Sequence, residues 1–487
     1  MTPSFLAEPI PENRKVLVST TTRHIPDIVR QLNEWQYLER TLHRLLAAWG
    51  RHHQELDDKA ALHRHVWDQA EIIRRLRERI EQFPGGKPDA WVHPAFESFA
   101  NVVLLAPAFE DALDAVYHHL LCPLVRAYAE HVQNAHPIHD APTVALLHEI
   151  NTLKEQHYFW YRDYRRRHPH ATDPAYREAL ERGIATLGDF RQPMPAFEGK
   201  GADLCGVNVD FVLPHSSGRP HDWRSRYDIM PYLTADFSEH VEARRLFWAI
   251  GYLREINLPD EQLRWLYYGH RMPWTWHHDI SRHLWDESRH GLSGYSRLRD
   301  WGIAVSDVGL PPSNGTGLRV FPEATPISER ILDPYVAETN FLTPGVPMSP
   351  QNLYNEVFFI GMVAENGHFI VKNEAYDDFR SGEDFESAEM MLFDIIDETT
   401  HVQYAHRWLP LLAEQAGIDN TMYRERAVKA RAEKQQEELC RIEEAQGLPR
   451  TPGFGPWEHY QALLEKIRQC IPFSPEFKPE RRSHKPM

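Results

Sequence analysis

Apolar residues recur every three to four positions over long stretches of this chain, which is the spacing of amphipathic α-helices. The alternation of apolar and polar residues that is typical of half-buried strands is scarce. The pattern predicts helices over residues 25–53, 56–83, 95–133, 142–167, 236–268, 273–300, 350–380 and 384–416. We therefore expect an all-α protein.

Several helix ends carry recognisable signals. Ser349 followed by Pro350 is typical of a helix that begins with a serine cap and a proline in its first turn. Gly417 is the residue type that commonly ends a helix. Pro259 predicts a kink or a break near Ile256, because proline has no backbone N–H to donate. We therefore expect most helices to be joined by short turns.

The predicted helices fall into two groups, separated by a stretch at about 190–235 that is rich in Pro, Gly, Ser and Asp. This grouping predicts two tandem four-helix bundles joined by an irregular linker. The predicted regions are an N-terminal bundle at 1–170, the linker at 171–235, a second bundle at 236–420 that contains a long crossover at 301–348, and a C-terminal helix with a basic tail at 421–487.

A short sequence similarity supports the idea of two related halves. Arg64-His65-Val66-Trp67-Asp68-Gln69 in the first half resembles Arg282-His283-Leu284-Trp285-Asp286-Glu287 in the second. An internal duplication explains this similarity. The alternative is a chance likeness between two amphipathic helices.

Composition narrows the class of protein. The 487 residues include 54 Lys+Arg and 70 Asp+Glu, and the net charge of −16 argues against a nucleic-acid-binding surface over the whole molecule. The four cysteines are far apart and the chain has no run of 18 apolar residues, so we expect a reduced, cytoplasmic protein without a membrane span. The 29 histidines prompt a search for a metal site.

Three Glu-x-x-His pairs occur, at Glu287/His290, Glu365/His368 and Glu398/His401. Pairs of this kind arise by chance in an acidic, histidine-rich chain, so the repeated context matters more. Residues 286–290 and 397–401 are both Asp-Glu-x-x-His within a predicted helix, and residues three apart project from one helix face. The leading aspartate, Asp286 or Asp397, can accept the second ring N–H of a liganding histidine on the neighbouring helix.

Helix geometry predicts the partners of these two motifs. Residues at equal distances from the turn of an antiparallel helix pair lie at equal depth. Counting back across each break leads from Glu398 to Glu365 and from Glu287 to Glu255, with nearly the same separation in the two cases. Glu365 follows the apolar run at 358–364, where a buried carboxylate would be costly unless it were bound to a cation.

This pattern resembles the ferritin-like di-iron carboxylate superfamily over about residues 236–416. In that family, two helices of a bundle each supply a Glu and the other two each supply Glu-x-x-His. The Asp-Glu-Ser-Arg-His-Gly string at 286–291 is similar to the second-helix motif of soluble di-iron desaturases and related oxidases. The resemblance implies six metal ligands: Glu255, Glu287, His290, Glu365, Glu398 and His401.

Two positions stay open at this point. If the first helix of the second bundle ends near Ile256, Glu242 becomes the depth-matched alternative to Glu255. His368, one turn from Glu365, is an additional ligand, a base next to the ligands or an ordinary helix histidine, and we favour the last interpretation.

The N-terminal half departs from the motif. Gln69 and Ile72 stand at the positions that correspond to Glu287 and His290, so we expect this bundle to lack the metal. Four further residues of this half could form a site, although a polar core network or a surface position is the preferred interpretation: Glu39, His65, Asp68 and Glu149.

The resemblance implies an oxidoreductase that holds two iron ions, with Mn/Fe as a variant, and activates O2 to oxygenate or oxidise a small organic substrate. Such an enzyme needs an electron donor, and it is compatible with a homodimer. One alternative is an iron-storage or peroxide-scavenging protein. The other is a non-catalytic helical interaction protein in which the acids and histidines form a polar core network.

Overall fold

The computed structural model describes residues 24–52, 55–89, 94–192, 213, 227, 229–237, 239–308 and 348–470. Within these residues every regular element is a helix, which confirms the all-α prediction. Most of the predicted linker and most of the predicted crossover lie outside the described residues. None of the described helices combines the length and the apolar composition that crossing a membrane requires.

The chain divides into two compact units. The first, unit 1, comprises residues 1–213 and 266–281, and the second, unit 2, comprises residues 214–265 and 282–487. The predicted region boundaries at 170, 235 and 420 stay a prediction.

The helices from the N-terminal part of the chain all belong to unit 1. They are α1 (Ile25–Trp49), α2 (Leu56–Glu81), α3 (Pro94–Leu104), α4 (Phe109–Leu113), α5 (Cys122–Asn134), α6 (Ala141–Arg167) and α7 (Pro174–Leu187). A π-helical segment, Asp114–Leu121, joins α4 to α5. The single helix predicted over 95–133 is interrupted at residues 105–108, where Pro107 cannot donate a backbone hydrogen bond.

The remaining helices follow after residue 229. They are α8 (Met230–Asp236), α9 (Val241–Glu255), α10 (Asn257–Tyr268), α11 (Trp274–Asp300), α12 (Val305–Val308), α13 (Pro350–Phe358), α14 (Asn366–Ser381), α15 (Phe385–Ala416), α16 (Tyr423–Gln446) and α17 (Gly455–Cys470). A second π-helical segment, Phe359–Glu365, joins α13 to α14. Residues 266–281, at the end of α10 and the start of α11, belong to unit 1.

The predicted helix-end signals are confirmed. The Ser349 side chain accepts a hydrogen bond from the Asn352 N–H and caps α13. Gly417 has a φ of 67°, the left-handed conformation that glycine adopts readily, and it ends α15. The break expected near Ile256 is present, because α9 ends at Glu255 and α10 begins two residues later.

Glycines allow close contacts between the helices of unit 2. A Cβ on Gly294 of α11 would lie 2.3 Å from the Leu253 backbone N and 2.5 Å from the Ala249 carbonyl O of α9. A Cβ on Gly361 would lie 2.4 Å from the Cβ of Ala405 on α15. These glycines bring α9 against α11, and the second π-helical segment against α15.

We expect Gly294→Ala to destabilise the protein by about 1–3 kcal/mol, since α9 and α11 must separate to admit a methyl group. Gly251→Ala on α9 is the matched control, because nothing lies within 4 Å of its ideal Cβ position. Alanine there gains up to about 1 kcal/mol of helix propensity. Urea unfolding of the two variants measures the difference, and equal midpoints would contradict the close α9–α11 contact.

Candidate metal centre

Two helices of unit 2 each present a triplet of titratable residues with the same spacing. On α11 the triplet is His283, Glu287 and His290, and on α15 it is Asp394, Glu398 and His401. In each triplet the second residue is four positions and the third seven positions after the first, so all three project from one helix face. All six residues are buried. The two faces meet, because each histidine that ends a triplet contacts the other helix.

Two further carboxylates complete the cluster. Glu255 is the last residue of α9, and Glu365 is the last residue of the second π-helical segment. Segments of this kind are frequent at functional sites, because the extra residue changes the direction in which side chains point. The site therefore draws on four separate elements of unit 2, which are α9, α11, the second π-helical segment and α15.

The donor atoms form three overlapping groups, and within each group they lie within 4.8 Å of one another. The groups are His283/Glu287/Glu365/His401, Glu255/Glu287/His290 and Glu255/Asp394/Glu398. Glu287 belongs to two of the groups, and Glu255 also belongs to two. Shared carboxylates therefore join the three groups into one continuous set of donors.

The donor atoms at the centre of this cluster make only long contacts with one another. Among the described residues, seven donor atoms of the cluster are buried and lack a hydrogen-bond partner: Glu255 Oε2, Glu287 Oε2, His290 Nδ1, Glu365 Oε2, Asp394 Oδ1, Glu398 Oε2 and His401 Nδ1. Buried polar atoms in native proteins nearly always have a partner, so each exception needs an explanation. A bound cation would satisfy all seven, and oxygen and imidazole nitrogen are the donors that iron and manganese accept.

The aspartates that precede the Glu-x-x-His motifs fix the histidine tautomers. His290 Nε2 lies 3.3 Å from Asp397 Oδ2, and His401 Nε2 lies 3.3 Å from Asp286 Oδ2. Each ring can donate its Nε2–H to the aspartate of the other helix, so that loss of the second ring proton would leave the Nδ1 lone pair directed into the cluster. The Asp-Glu-x-x-His motif by itself predicts this crossed contact.

Two arginines in turn hold these aspartates. Arg289 donates to Asp286 and, at 2.6 Å, to Asp397 Oδ2. Arg282 donates to Asp286 Oδ2 at 2.8 Å. The hydrogen bond from His290, followed by the charge of Arg289, holds the pKa of Asp397 below its ordinary value although burial opposes this.

The second oxygen of four of the cluster carboxylates is held by a neighbouring cation or histidine. His283 Nε2 lies 3.1 Å from Glu287 Oε1 and 2.8 Å from Glu365 Oε1. On the other side, Lys372 Nζ lies 2.6 Å from Asp394 Oδ2 and 2.7 Å from Glu398 Oε1. In all four carboxylates one oxygen is engaged and the other is among the unsatisfied atoms, so the side chains are fixed with one oxygen turned inward.

The cluster perturbs the acid–base properties of its members. Removal from water, together with the nearby Glu287 and Asp394 carboxylates, raises the pKa of Glu255 to about 8. Burial alone would lower the pKa of His290, but the carboxylates of Asp394 and Asp397 raise it well above its ordinary value. Burial would likewise lower the pKa of His401, and its carboxylate partners raise it. Without a cation the site therefore retains protons at neutral pH.

The structure brings together the six residues predicted as ligands. Glu242 and His368, the two further candidates from the sequence, lie outside the donor groups. Glu242, the alternative to Glu255, accepts from Arg468 Nε at 2.9 Å on α17 and belongs to none of the three donor groups. His368 Nε2 lies 3.2 Å from Lys434 Nζ on α16, and burial together with this lysine lowers the His368 pKa to about 3. Its contact is that of an ordinary helix histidine. The assignment of the six residues as ligands stays a prediction.

Sequence reasoning missed three members of the cluster: His283, Asp394 and Lys372. His283 and Asp394 each precede a motif glutamate by four residues, so an extension of the Asp-Glu-x-x-His pattern by one turn would have found them. Lys372 is seven residues after Glu365 and shares its helix face, but no sequence signal separates it from an exposed helix lysine.

Unit 1 contains a buried polar cluster with a related layout. Asp68 Oδ2 lies 3.0 Å from His157 Nε2, as Asp286 Oδ2 lies 3.3 Å from His401 Nε2 in unit 2. The rings of His65 and His157 are 3.9 Å apart, and the corresponding distance in unit 2, between His283 and His401, is 3.7 Å. Both units also contain a π-helical segment.

The centre of the unit 1 cluster differs, because its polar atoms satisfy one another. Lys154 Nζ lies 2.7 Å from Glu39 Oε2 and 3.1 Å from Gln69 Oε1. The Tyr128 hydroxyl donates to Glu39 Oε1 at 2.7 Å, and Gln69 Nε2 donates to the same carboxylate. Lys154 and His157 have the spacing of Glu398 and His401, with an ammonium in place of a carboxylate.

The candidate residues named for this half therefore belong to a hydrogen-bonded core or to the surface. Glu39, His65 and Asp68 are buried and have partners, whereas Glu149 is 61% exposed and pairs with Arg75. This agrees with the preferred interpretation of the sequence.

Comparison of the chain with protein-family models, with curated proteins and with solved structures finds no significant match. The interpretation of the site therefore depends on its own geometry.

We expect Lys154→Met to destabilise the protein by about 3–5 kcal/mol, because it leaves the Glu39 carboxylate buried without its cation. The double variant Glu39→Gln/Lys154→Met is expected to recover most of this loss, since no unpaired charge remains. Arg75→Met is the surface control and is expected to cost at most about 1 kcal/mol. Urea unfolding provides the comparison, and a Lys154 variant as stable as the Arg75 variant would show that the ion pair does not hold the core.

We expect binding of a divalent cation to release protons and to strengthen as the pH rises. The raised pKa of Glu255, about 8, and those of His290 and His401 mean that these groups are protonated at pH 7 in the metal-free protein. Binding needs their deprotonated forms, so protons compete with the cation, and this competition weakens as the pH rises. Calorimetry with Mn²⁺ in buffers of different ionisation enthalpy measures the release. Equal affinity at pH 6 and pH 8 would contradict this assignment.

Proposed function

We propose that this protein is an oxidoreductase with a dinuclear non-haem metal centre in unit 2, most simply two iron ions, that activates O2 to oxygenate or oxidise a small organic substrate. The observation that carries the proposal is a buried cluster of five carboxylates and two imidazole Nδ1 atoms in which seven donor atoms lack a hydrogen bond. Six of these atoms make long histidine–carboxylate contacts of 3.3–3.6 Å with one another, whereas the cluster around Glu39 and Lys154 is held by hydrogen bonds of 2.7–3.1 Å.

The donor set also favours particular metals and a particular number of ions. Carboxylate oxygens and two imidazole nitrogens suit Fe or Mn better than the softer metals that thiolates select. We propose that two ions occupy adjacent positions that share Glu287, which belongs both to the group with His283, Glu365 and His401 and to the group with Glu255 and His290. The residues proposed to hold the ions are the six that the ferritin-like resemblance implies.

When bound, such a pair of metal ions supplies the oxidative chemistry, and the protein supplies binding, orientation and control of access. Asp286 and Asp397 orient the two histidines, and Arg289 holds both aspartates. The cluster is closed on most sides, since its other carboxylate and histidine side chains are at most 5% exposed, whereas Glu255 is 23% exposed. We propose that O2 and substrate approach from the side of Glu255.

We further propose that unit 1 is a second, metal-free copy of the same bundle. The sequence alignment that pairs Arg64 with Arg282 also pairs Asp68 with Asp286, and each arginine donates its Nε–H to its aspartate, at 2.6 Å in unit 1 and 2.8 Å in unit 2. In this copy the Lys154 ammonium provides the positive charge that a metal would provide. The two units would then form the tandem arrangement that the sequence predicts.

The decisive experiment is elemental analysis after anaerobic loading with Fe²⁺. We expect about two metal ions per chain in the wild type. Glu398→Ala is expected to retain less than half of this amount, since it removes a buried ligand. Glu389→Ala, an exposed glutamate on the same helix, is the matched control and is expected to bind as the wild type does. A wild-type protein that binds no metal would contradict the proposal and would leave the helical interaction protein as the better interpretation.

Oxidation of the loaded protein by O2 separates the enzyme from an iron-storage protein. A dinuclear enzyme oxidises about two Fe²⁺ per chain and then stops unless a reductant is supplied. Continued uptake of iron far beyond this ratio would support storage instead.

A further inference from the structure

We infer that Asp394 is an additional metal ligand of this centre, and that Lys372 is the positioning residue that holds Asp394 in place and balances its charge. The inference deepens the proposed function and rests on it. Neither residue is among the six ligands that the Glu and Glu-x-x-His pattern supplies, and both lie at the Glu255 and Glu398 side of the cluster.

The position of Asp394 is that of a ligand rather than of a supporting residue. Its side chain is 1% exposed, and Oδ1 is buried without a hydrogen-bond partner. Oδ1 lies 3.4 Å from Nδ1 of His290, the histidine atom that also lacks a hydrogen-bond partner. Asp394, Glu255 and Glu398 together form one of the three donor groups. The supporting aspartates behave differently, because Asp397 contacts Nε2 of His290, on the far side of the ring.

The second oxygen of Asp394 is fixed by two donors. The Tyr252 hydroxyl donates to Oδ2 at 2.8 Å, and Lys372 Nζ lies 2.6 Å from the same atom. Lys372 also donates to Glu398 Oε1 at 2.7 Å and leaves Glu398 Oε2 turned inward. Lys372 therefore contacts both carboxylates and, together with Tyr252 at Asp394, determines which oxygen of each is available to a metal.

The charges of the cluster support the same assignment. Five carboxylates converge, and they belong to Glu255, Glu287, Glu365, Asp394 and Glu398. Lys372 offsets one of their negative charges, and two divalent cations offset the remaining four. Because an unbalanced charge in a buried site is costly, a fifth carboxylate needs a cation of its own. Lys372, which is 2% exposed and contacts Asp394 directly, is that cation.

Titration with Co²⁺ tests the role of Asp394, since the visible absorption of Co²⁺ reports its ligands. The variants are Asp394→Asn and, as an isosteric control, Asp377→Asn at an exposed position of α14. We expect about two Co²⁺ per chain in the wild type and in the control. In Asp394→Asn we expect the affinity for the second ion to fall by about tenfold or more, with a changed absorption spectrum.

Wild-type stoichiometry, affinity and spectrum in Asp394→Asn would overturn this inference and leave the proposed function standing. A wild-type protein that binds no Co²⁺ would overturn both. The two failures are therefore distinguishable in one titration series.

Lys372→Met tests the positioning role and does not remove a ligand. We expect it to bind two Co²⁺ per chain with a spectrum that differs from the wild type, because Glu398 is then free to present either oxygen and Asp394 Oδ2 keeps only the Tyr252 hydroxyl. An unchanged spectrum would show that Lys372 does not select the oxygens and would overturn that part of the inference.

Discussion

Buried negative charge is the constraint on which the rest of this structure depends. A carboxylate in a helical bundle loses its hydration, and the loss is tolerated only when cations and hydrogen bonds replace the water. Unit 1 meets this requirement with its own side chains, since Lys154, Gln69 and Tyr128 occupy both oxygens of Glu39. Unit 2 meets it only in part. Each of its five central carboxylates keeps one buried oxygen without a hydrogen-bond partner, which is the basis of the proposed metal centre.

Close packing of the helices brings these charged groups next to one another. Gly294 lets α9 contact α11 closely, and this contact brings Glu255 to within 3.3 Å of His290. Gly361 does the same for the second π-helical segment and α15, and the segment ends at Glu365 beside His401. Larger side chains at the two glycines would move the donor atoms apart, so the small residues are as much a part of the site as the acids.

Around the proposed centre, each inner donor is held by an outer partner. Aspartates hold the histidines, arginines hold the aspartates, and His283 and Lys372 hold the outer carboxylate oxygens. Fixed partners of this kind reduce the rearrangement that binding of a cation requires. The crossed contacts between α11 and α15 also tie the two motif helices to each other, so the same interactions serve the stability of the bundle and the geometry of the site.

The sequence by itself determined the helical class, the caps at Ser349 and Gly417, the break near Ile256 and the membership of the six central residues in one cluster. These features follow from local rules: helix periodicity, the backbone limits of proline and glycine, and the fixed spacing of residues on one helix face.

Only the tertiary structure decided whether a polar residue found a partner. Lys154 and Lys372 are both buried lysines in amphipathic helices, yet one completes a hydrogen-bonded core and the other lies beside carboxylates with unsatisfied oxygens. Asp394 and His283 belong to the cluster, whereas His368 contacts Lys434 and lies outside the donor groups. The physical reason is that burial and pairing depend on which helix faces meet, and residues far apart in sequence set those contacts.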